Sequence, residues 1–230
     1  MVLPLYLAQT AAEMAGNPVS QNMAYMACHF APGGKGLSNL PEILPSGALL
    51  ILDDSTPMDA HEPEMILRQL CEVVQQYSCD ALVLDFQRQD VPGQQELAQQ
   101  LCGALSCPVG VSELYAKDLP CPVFLSPVPP DMPLGRHLAP WQGRELWLEA
   151  ALDGITLTLT ESGCTVAALP DVPENGLTDE KLHCRYTIET SEDAAVFHLW
   201  RTREDLAALL SEAQTAGVTK AIGLWQELGR

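Results

Sequence analysis

The strongest constraint on the fold is a strand–helix–strand unit in the first half of the chain. Residues 48–52 are apolar throughout and end in polar groups, and residues 79–88 show the same change. Between them, Pro63–Tyr77 carries apolar residues at helical spacing, with Pro63 suited to the first turn of a helix. This alternation predicts an α/β protein with a parallel sheet, whose sites open at the C-terminal ends of the strands.

Eight candidate strands along the chain favour a (β/α)8 TIM-type barrel over an open sheet. At 230 residues the chain is shorter than a typical barrel of about 250. Too few residues separate the predicted strands 109–111 and 123–126 for a crossover helix. We therefore expect a trimmed or incomplete barrel.

Short β runs divided by Gly, Pro and Asp replace the strand–helix alternation late in the chain. They predict a β-rich insertion at about 152–196 within a single domain spanning residues 1–230. Before it, the Pro-rich stretch 127–140 is predicted to be irregular. After it, residues 202–205 predict a helix-capping box, and residues 220–225 predict a last strand that ends at Trp225.

The charge balance limits the partners. Thirty acidic residues face 12 basic ones, and a net charge of −18 repels phosphate backbones and anionic membranes. No apolar run approaches the roughly 20 residues of a membrane span, and the N-terminus lacks a basic signal region. We expect a cytoplasmic protein that binds neither nucleic acid nor membrane. The eight cysteines form no C-x-x-C pair, so we expect reduced structural thiols and no metal or other cofactor.

Residues 80–87, Asp-Ala-Leu-Val-Leu-Asp-Phe-Gln, resemble the signature strand of the family 18 glycoside hydrolases, the chitinase family. The family pattern is Asp-Gly-apolar-Asp-apolar-Asp-x-Glu. Asp80 and Asp85 match their positions, while Ala81 replaces the glycine and Val83 replaces the middle aspartate. Gln87 stands where the family has its proton-donating glutamate.

The order of elements is also similar to the family. A β-rich insertion often follows the seventh strand there. In the branch of spore-associated hydrolases, a tryptophan and acidic residues then lead into the last helix, and residues 185–200 and 202–205 are similar to this segment. Residues 221–229 resemble the end of chains in the branch of spore-associated hydrolases. In that resemblance, Trp225 takes the place of the tryptophan that floors the sugar pocket.

The resemblance implies a barrel that has lost its acid catalyst. In the family, the acetamido oxygen of the substrate attacks the anomeric carbon, a glutamate protonates the leaving oxygen, and an aspartate orients the acetamide. Gln87 carries no titratable proton, and losing a general acid typically costs a factor of about 10² to 10⁴. Val83 also removes a carboxylate from the network. We therefore expect no hydrolysis, with Asp85 and Trp225 retained for a glycan or a related small ligand.

Other polar residues also follow predicted strands. Glu113 and Tyr115 end the fifth strand, and His29 and Asp53 end the second and third, so all four would face the active-site end of a barrel. The alternative interpretation is structural: polar groups at the ends of strands commonly cap helices or are solvated. The complete set of candidate ligand-binding residues is Asp85, Gln87, Trp225, Tyr115, His29 and Asp53.

Two alternatives stay open. In the first, the protein is a hydrolase with relocated chemistry, using Glu113 as the acid or a metal held by His29, Asp53 and Asp85. In the second, it is a structural or interaction protein whose pocket is filled by its own side chains. The sequence does not indicate an oligomeric state.

Overall fold

A computed structural model describes residues 2–16, 22–33, 36–58 and 63–229. These residues form two compact units that alternate along the chain. We call them the barrel unit and the insertion unit. The barrel unit comprises the described residues of Pro4–Ser126, Gly143–Glu149 and Thr219–Arg230, and the insertion unit comprises those of Met1–Leu3, Pro127–Gln142 and Ala150–Val218.

The described residues contain fourteen strands and six α-helices. The strands are β1 (Leu5–Gln9), β2 (Met23–Phe30), β3 (Leu37–Ser38), β4 (Leu49–Asp53), β5 (Ala81–Asp85), β6 (Val109–Ser112), β7 (Val123–Leu125), β8 (Leu146–Ala150), β9 (Gly154–Thr160), β10 (Gly163–Ala168), β11 (Leu177–Asp179), β12 (Cys184–Thr190), β13 (Ala194–Trp200) and β14 (Val218–Leu224). The helices are α1 (Ala11–Gly16), α2 (Pro63–Tyr77), α3 (Gln94–Ala104), α4 (Leu134–Leu138), α5 (Arg203–Thr215) and α6 (Trp225–Leu228).

Eight parallel strands close into a barrel, which confirms the predicted fold class. Their order is β1, β14, β8, β7, β6, β5, β4 and β2, and β1 closes the ring by pairing with β2. As expected, the barrel is trimmed in its helices: β6 leads to β7 without one. Among the described residues between β2 and β4 there is also no helix, only the short strand β3.

The barrel interior is filled by side chains that alternate along the strands with those facing outward. Trp147 on β8 is fully buried in this interior. Gly110 on β6 makes room for it, because a Cβ at this glycine would lie 2.2 Å from Cε3 of the Trp147 ring. The middle of the barrel is therefore filled by packed side chains, and a ligand can enter only at one end of the barrel.

The insertion unit contains a five-stranded antiparallel sheet in the order β10, β9, β13, β12, β11. Strand β11 was not predicted from the sequence, but the β-rich insertion itself is confirmed. The predicted capping box is also present at α5: Thr202 Oγ1 accepts from the Asp205 amide at 3.2 Å, and Asp205 Oδ2 accepts from the Thr202 amide at 3.0 Å. In the described part of the chain, no helix is long and apolar enough to cross a membrane.

Two local predictions were wrong. The stretch predicted to be irregular contains α4 (Leu134–Leu138). Trp225 does not end the last strand: β14 stops at Leu224, and Trp225 is the first residue of α6. Its ring lies over the end of this helix, where a Cβ at Gly229 would be 2.2 Å from Cε3 of Trp225.

Candidate functional site

The site begins with two aspartates that end neighbouring strands. Asp53 is the last residue of β4 and Asp85 the last residue of β5, and the parallel register pairs them directly. Ala81 and Val83 belong to the interior cluster of the barrel. Because side chains on a strand alternate between faces, Asp85 points to the same side, at the C-terminal mouth.

A cavity of about 70 Å³ opens at this mouth. Three carboxylates line it, those of Asp53, Asp85 and Glu149. Glu149 was missed in the sequence, although it shares a face of β8 with the interior residue Trp147 and is the last polar residue of that strand. The remaining lining is apolar or glycine and consists of Ala8, Met26, Ile51, Phe124, Ile222, Gly223 and Leu224.

Burial raises the pKa of Asp85, and the carboxylates of Asp53 and Asp54 raise it further. A hydrogen bond from Gln87 opposes this change without overcoming it. Catalytic and ligand-binding acids are often held with a shifted pKa, so an acid with a raised pKa at the C-terminal mouth of a barrel is a candidate functional group.

Gln87 is hydrogen-bonded to Asp85. Its Nε2 donates to Asp85 Oδ1 at 2.5 Å, so the amide lies directly beside the carboxylate, as the resemblance to family 18 implies for its acid. The Gln87 side chain is otherwise exposed. The expected pair of Asp85 and Gln87 is therefore in contact in the structure.

Asp54 positions the loop that carries Gln87. It is only 2% exposed, and its carboxylate accepts from the backbone amides of Gln87 at 3.0 Å and Arg88 at 2.9 Å. The Gln94 side chain donates to it at 3.2 Å. In the sequence, Asp54 looks like an ordinary turn residue after a strand. Nothing local indicates the three donors, which lie 33 to 40 residues away.

A second cavity of about 280 Å³ lies beside Gln87. Gln87, Glu113 and Ser126 are among its lining residues, and Phe124 lines both cavities. Ser126 Oγ donates to Glu113 Oε1 at 2.6 Å. The proposed alternative acid therefore shares a cavity with Gln87, and not the cavity that Asp85 lines.

Tyr115 has a structural environment. Its side chain is buried, its hydroxyl donates to the Arg88 carbonyl oxygen at 2.6 Å, and its ring packs edge-on against Phe86 with centroids 5.8 Å apart. It lines a separate cavity of about 390 Å³ beside the loop that follows β5. Tyr115 therefore supports the loop and is remote from the carboxylate-lined cavity.

The two remaining candidates, His29 and Trp225, do not line the carboxylate-lined cavity. His29 lies opposite Asp53 in the register of β2 and β4, but its Nδ1 is 3.1 Å from the Ala27 carbonyl oxygen. Neither His29 nor Trp225 is among the residues that line the cavity of Asp53 and Asp85. Across the described ranges, no three His, Cys, Asp or Glu side chains converge as metal ligands, so the predicted triad of His29, Asp53 and Asp85 is not assembled.

Comparison with known proteins agrees with this architecture. A variant of the family 18 chitinase from Cycas revoluta, solved in complex with (GlcNAc)4, superposes with a TM-score of 0.60 at 11% identity over 96% of this chain and 94% of that chain. The spore cortex-lytic enzyme SleL of Bacillus cereus gives 0.56 at 8% identity, covering 96% of this chain and 70% of that chain. A chitinase from Chromobacterium violaceum gives 0.55 at 10% identity, covering 96% and 93%.

The protein therefore has a family 18 glycoside hydrolase-like TIM-barrel fold. Within this class, its structural relatives are chitinases and spore cortex-lytic glycosylases. No protein-family profile and no curated protein sequence matches the chain. At identities near 10% these similarities establish the fold and not the chemistry.

Proposed function

We propose that this protein is a hydrolytically inactive family 18-like barrel that binds a neutral glycan, or a related small polar ligand, at its C-terminal face. The observation that carries the proposal is the 2.5 Å hydrogen bond from Gln87 Nε2 to Asp85 Oδ1. An amide lies beside the aspartate where the resemblance to family 18 calls for a carboxylic acid. A glutamine amide can donate a hydrogen bond to a sugar oxygen, but it cannot protonate a leaving group.

The charges of the cavity favour a neutral ligand. Three carboxylates and no basic residue line it, so an anion would be repelled. The hydroxyl and acetamido N–H groups of a sugar can donate hydrogen bonds to these carboxylates.

The space beside Asp85 defines how a sugar would enter. A cavity of about 70 Å³ is too small for a sugar ring. For a sugar to reach Asp85, the exposed Gln87 side chain would have to rotate away, which breaks its hydrogen bond to Asp85. The freed Oδ1 could then accept the N–H of an acetamido group. This exchange of one donor for another keeps the carboxylate satisfied.

The direct test uses (GlcNAc)4, the oligosaccharide bound by the Cycas revoluta variant. We expect calorimetric titration of the purified protein to detect binding, and chromatography after long incubation to find the sugar intact. Asp85→Ala should abolish binding, whereas Asp118→Ala, at an exposed aspartate outside both cavities, should leave it unchanged. Turnover that disappears in Asp85→Ala would reject the inactive assignment, and absence of binding would reject the ligand.

A second candidate function is a hydrolase with a relocated acid. It is supported by Glu113, which lines the same cavity as Gln87 and accepts a hydrogen bond from Ser126. Its test is a glycosidase screen of the native protein, Glu113→Gln and Gln87→Ala. Activity that is lost in Glu113→Gln and retained in Gln87→Ala would favour this function over the first.

A further inference from the structure

The two edges of the antiparallel sheet in the insertion unit are built differently. The edge strand β11 has only three residues and ends at Asp179. The opposite edge strand, β10, has six residues, all exposed, without a proline or a charged residue. Short strands and charges protect sheet edges from pairing with another chain. By these criteria β11 is protected and β10 is open.

The register shows which backbone groups of β10 point outward. Leu169 donates its amide to the Gly154 carbonyl oxygen at 2.9 Å, and this pair continues the register of β10 with β9. Hydrogen-bonded pairs alternate along an antiparallel ladder. Residues 163, 165 and 167 therefore bond to β9, whereas Cys164, Val166 and Ala168 direct their N–H and C=O groups away from the sheet.

The open edge is continuous with an exposed apolar face. In the register, Val166 lies beside Leu157 and Cys164 beside Leu159, so these side chains share one face of the sheet. Val166 is 59% exposed, Leu159 39%, and Ile188, further across the same face, 48%. Contiguous exposed apolar surface is typical of interaction sites.

We propose that β10 pairs antiparallel with β10 of a second copy of this chain, about a twofold axis at Val166. The outward groups are arranged symmetrically for this pairing. Val166 pairs with Val166 of the second copy, and Cys164 of each copy pairs with Ala168 of the other. These three pairs exchange about six hydrogen bonds. The strand contains no charge to desolvate, the valine pair is favourable across strands, and the shared strand makes the interface self-complementary.

Electrostatics and size set the strength of the dimer. Acidic residues flank β10, Glu161 before it and Asp171 after it, and antiparallel pairing brings one toward the other. The net charge of −18 on each copy adds to this repulsion. A strand pair of this length is also smaller than a standard interface of about 1,600 Å². The dimer is therefore weak, depends on protein concentration and is strengthened by salt.

Sedimentation velocity of the full chain over a wide concentration range, at low and high salt, tests the proposal. Val166→Pro removes an outward N–H and leaves the bonds to β9 in place, and Val166→Lys places a charge on the edge. Each should weaken the dimer at least about tenfold. Glu161→Gln should strengthen it. Leu177→Lys on β11 is the matched control and should have no effect, while circular dichroism verifies that every variant is folded.

Two results would overturn the proposal. One is a monomer at all concentrations and salt conditions. The other is a dimer that both Val166 variants leave intact. Since a lysine on an exposed edge strand is tolerated by folded sheets, Val166→Lys keeps the test decisive even if the proline variant unfolds.

Discussion

Two aspartates at opposite ends of the signature strand have opposite environments. Asp80, immediately before β5, accepts hydrogen bonds from Lys220 Nζ and from the Tyr6 hydroxyl, both at 2.9 Å. Asp85, at the end of β5, accepts from the uncharged amide of Gln87 and shares its cavity with further carboxylates. One aspartate is neutralised by a cation, whereas the other is surrounded by acids.

The two pKa values respond accordingly. Burial raises the pKa of Asp80, but Lys220 and Tyr6 more than offset it, so that this pKa is lowered. No cation offsets the burial of Asp85, and its pKa is raised. Lys220 also lies over the rings of Tyr6 and Trp147, 5.6 and 5.5 Å from their centroids. The carboxylate at the N-terminal end of β5 is therefore paired with a cation, whereas the carboxylate at the mouth, where barrels bind ligands, is not.

The largest expected effect tests whether all carboxylates near the mouth behave like Asp85. We expect Asp54→Ala to lower the free energy of unfolding by about 3 kcal/mol, because it leaves three donors without their buried acceptor. Urea denaturation measures this loss. Asp118→Ala, at an exposed aspartate, is the control and should change stability little. A loss below about 1 kcal/mol would show that water replaces Asp54 and that its role is not structural.

A matched pair of substitutions tests the comparison itself. Asp80→Asn should cost about 1 kcal/mol, because the ion pair with Lys220 is lost at a partly exposed carboxylate. Asp85→Asn should leave stability unchanged or raise it, because a charge that burial and its neighbours disfavour is removed. Both are measured by urea denaturation at neutral pH. Equal losses in the two variants would contradict the contrast between the ends of the strand.

The pH dependence should have opposite signs at the two aspartates. The lowered pKa of Asp80 contributes stability above its unfolded pKa of about 3.9, and that stability is lost as the pH falls through its folded pKa. The raised pKa of Asp85 contributes stability that is full below about 3.9 and lost as the pH rises through its folded pKa. Carboxyl carbon NMR titration should show Asp85 releasing its proton at a higher pH than Asp80. The reverse order would refute the electrostatic argument.

The sequence predicted the parts of the site that depend on local alternation. A period of two placed Ala81, Val83 and Asp85 on one face, and the barrel interior agrees. It could not predict the contact of Lys220 with Asp80, because the two residues are 140 positions apart and only closure of the barrel brings them together.

Two features of the site were not predicted correctly, the role of Glu149 and the end of the last strand at Trp225. Glu149 was missed although residues 145–151 were expected to form a strand, because it was not recognised which face of this strand turns toward the barrel interior. Trp225 continues the apolar pattern of β14, so the pattern gives no sign that the backbone becomes helical at this residue. Whether Trp225 contributes to ligand binding stays a prediction.

The smallest expected effect is that of Gln87→Glu, which should produce no measurable hydrolysis of chitooligosaccharides. The substitution restores the missing acid, but Val83 still lacks the carboxylate found at its position in the family pattern, and it is fully buried in the interior cluster. The new carboxyl would also lie within hydrogen-bond distance of Asp85, whose pKa is already raised. Two acids so close titrate as a coupled pair, and in this chain that pair would lack the third carboxylate that the family pattern places at position 83. Chromatography of incubated oligosaccharide measures the outcome, and recovery of rates typical of family 18 enzymes in this single variant would show that Gln87 alone accounts for the inactivity.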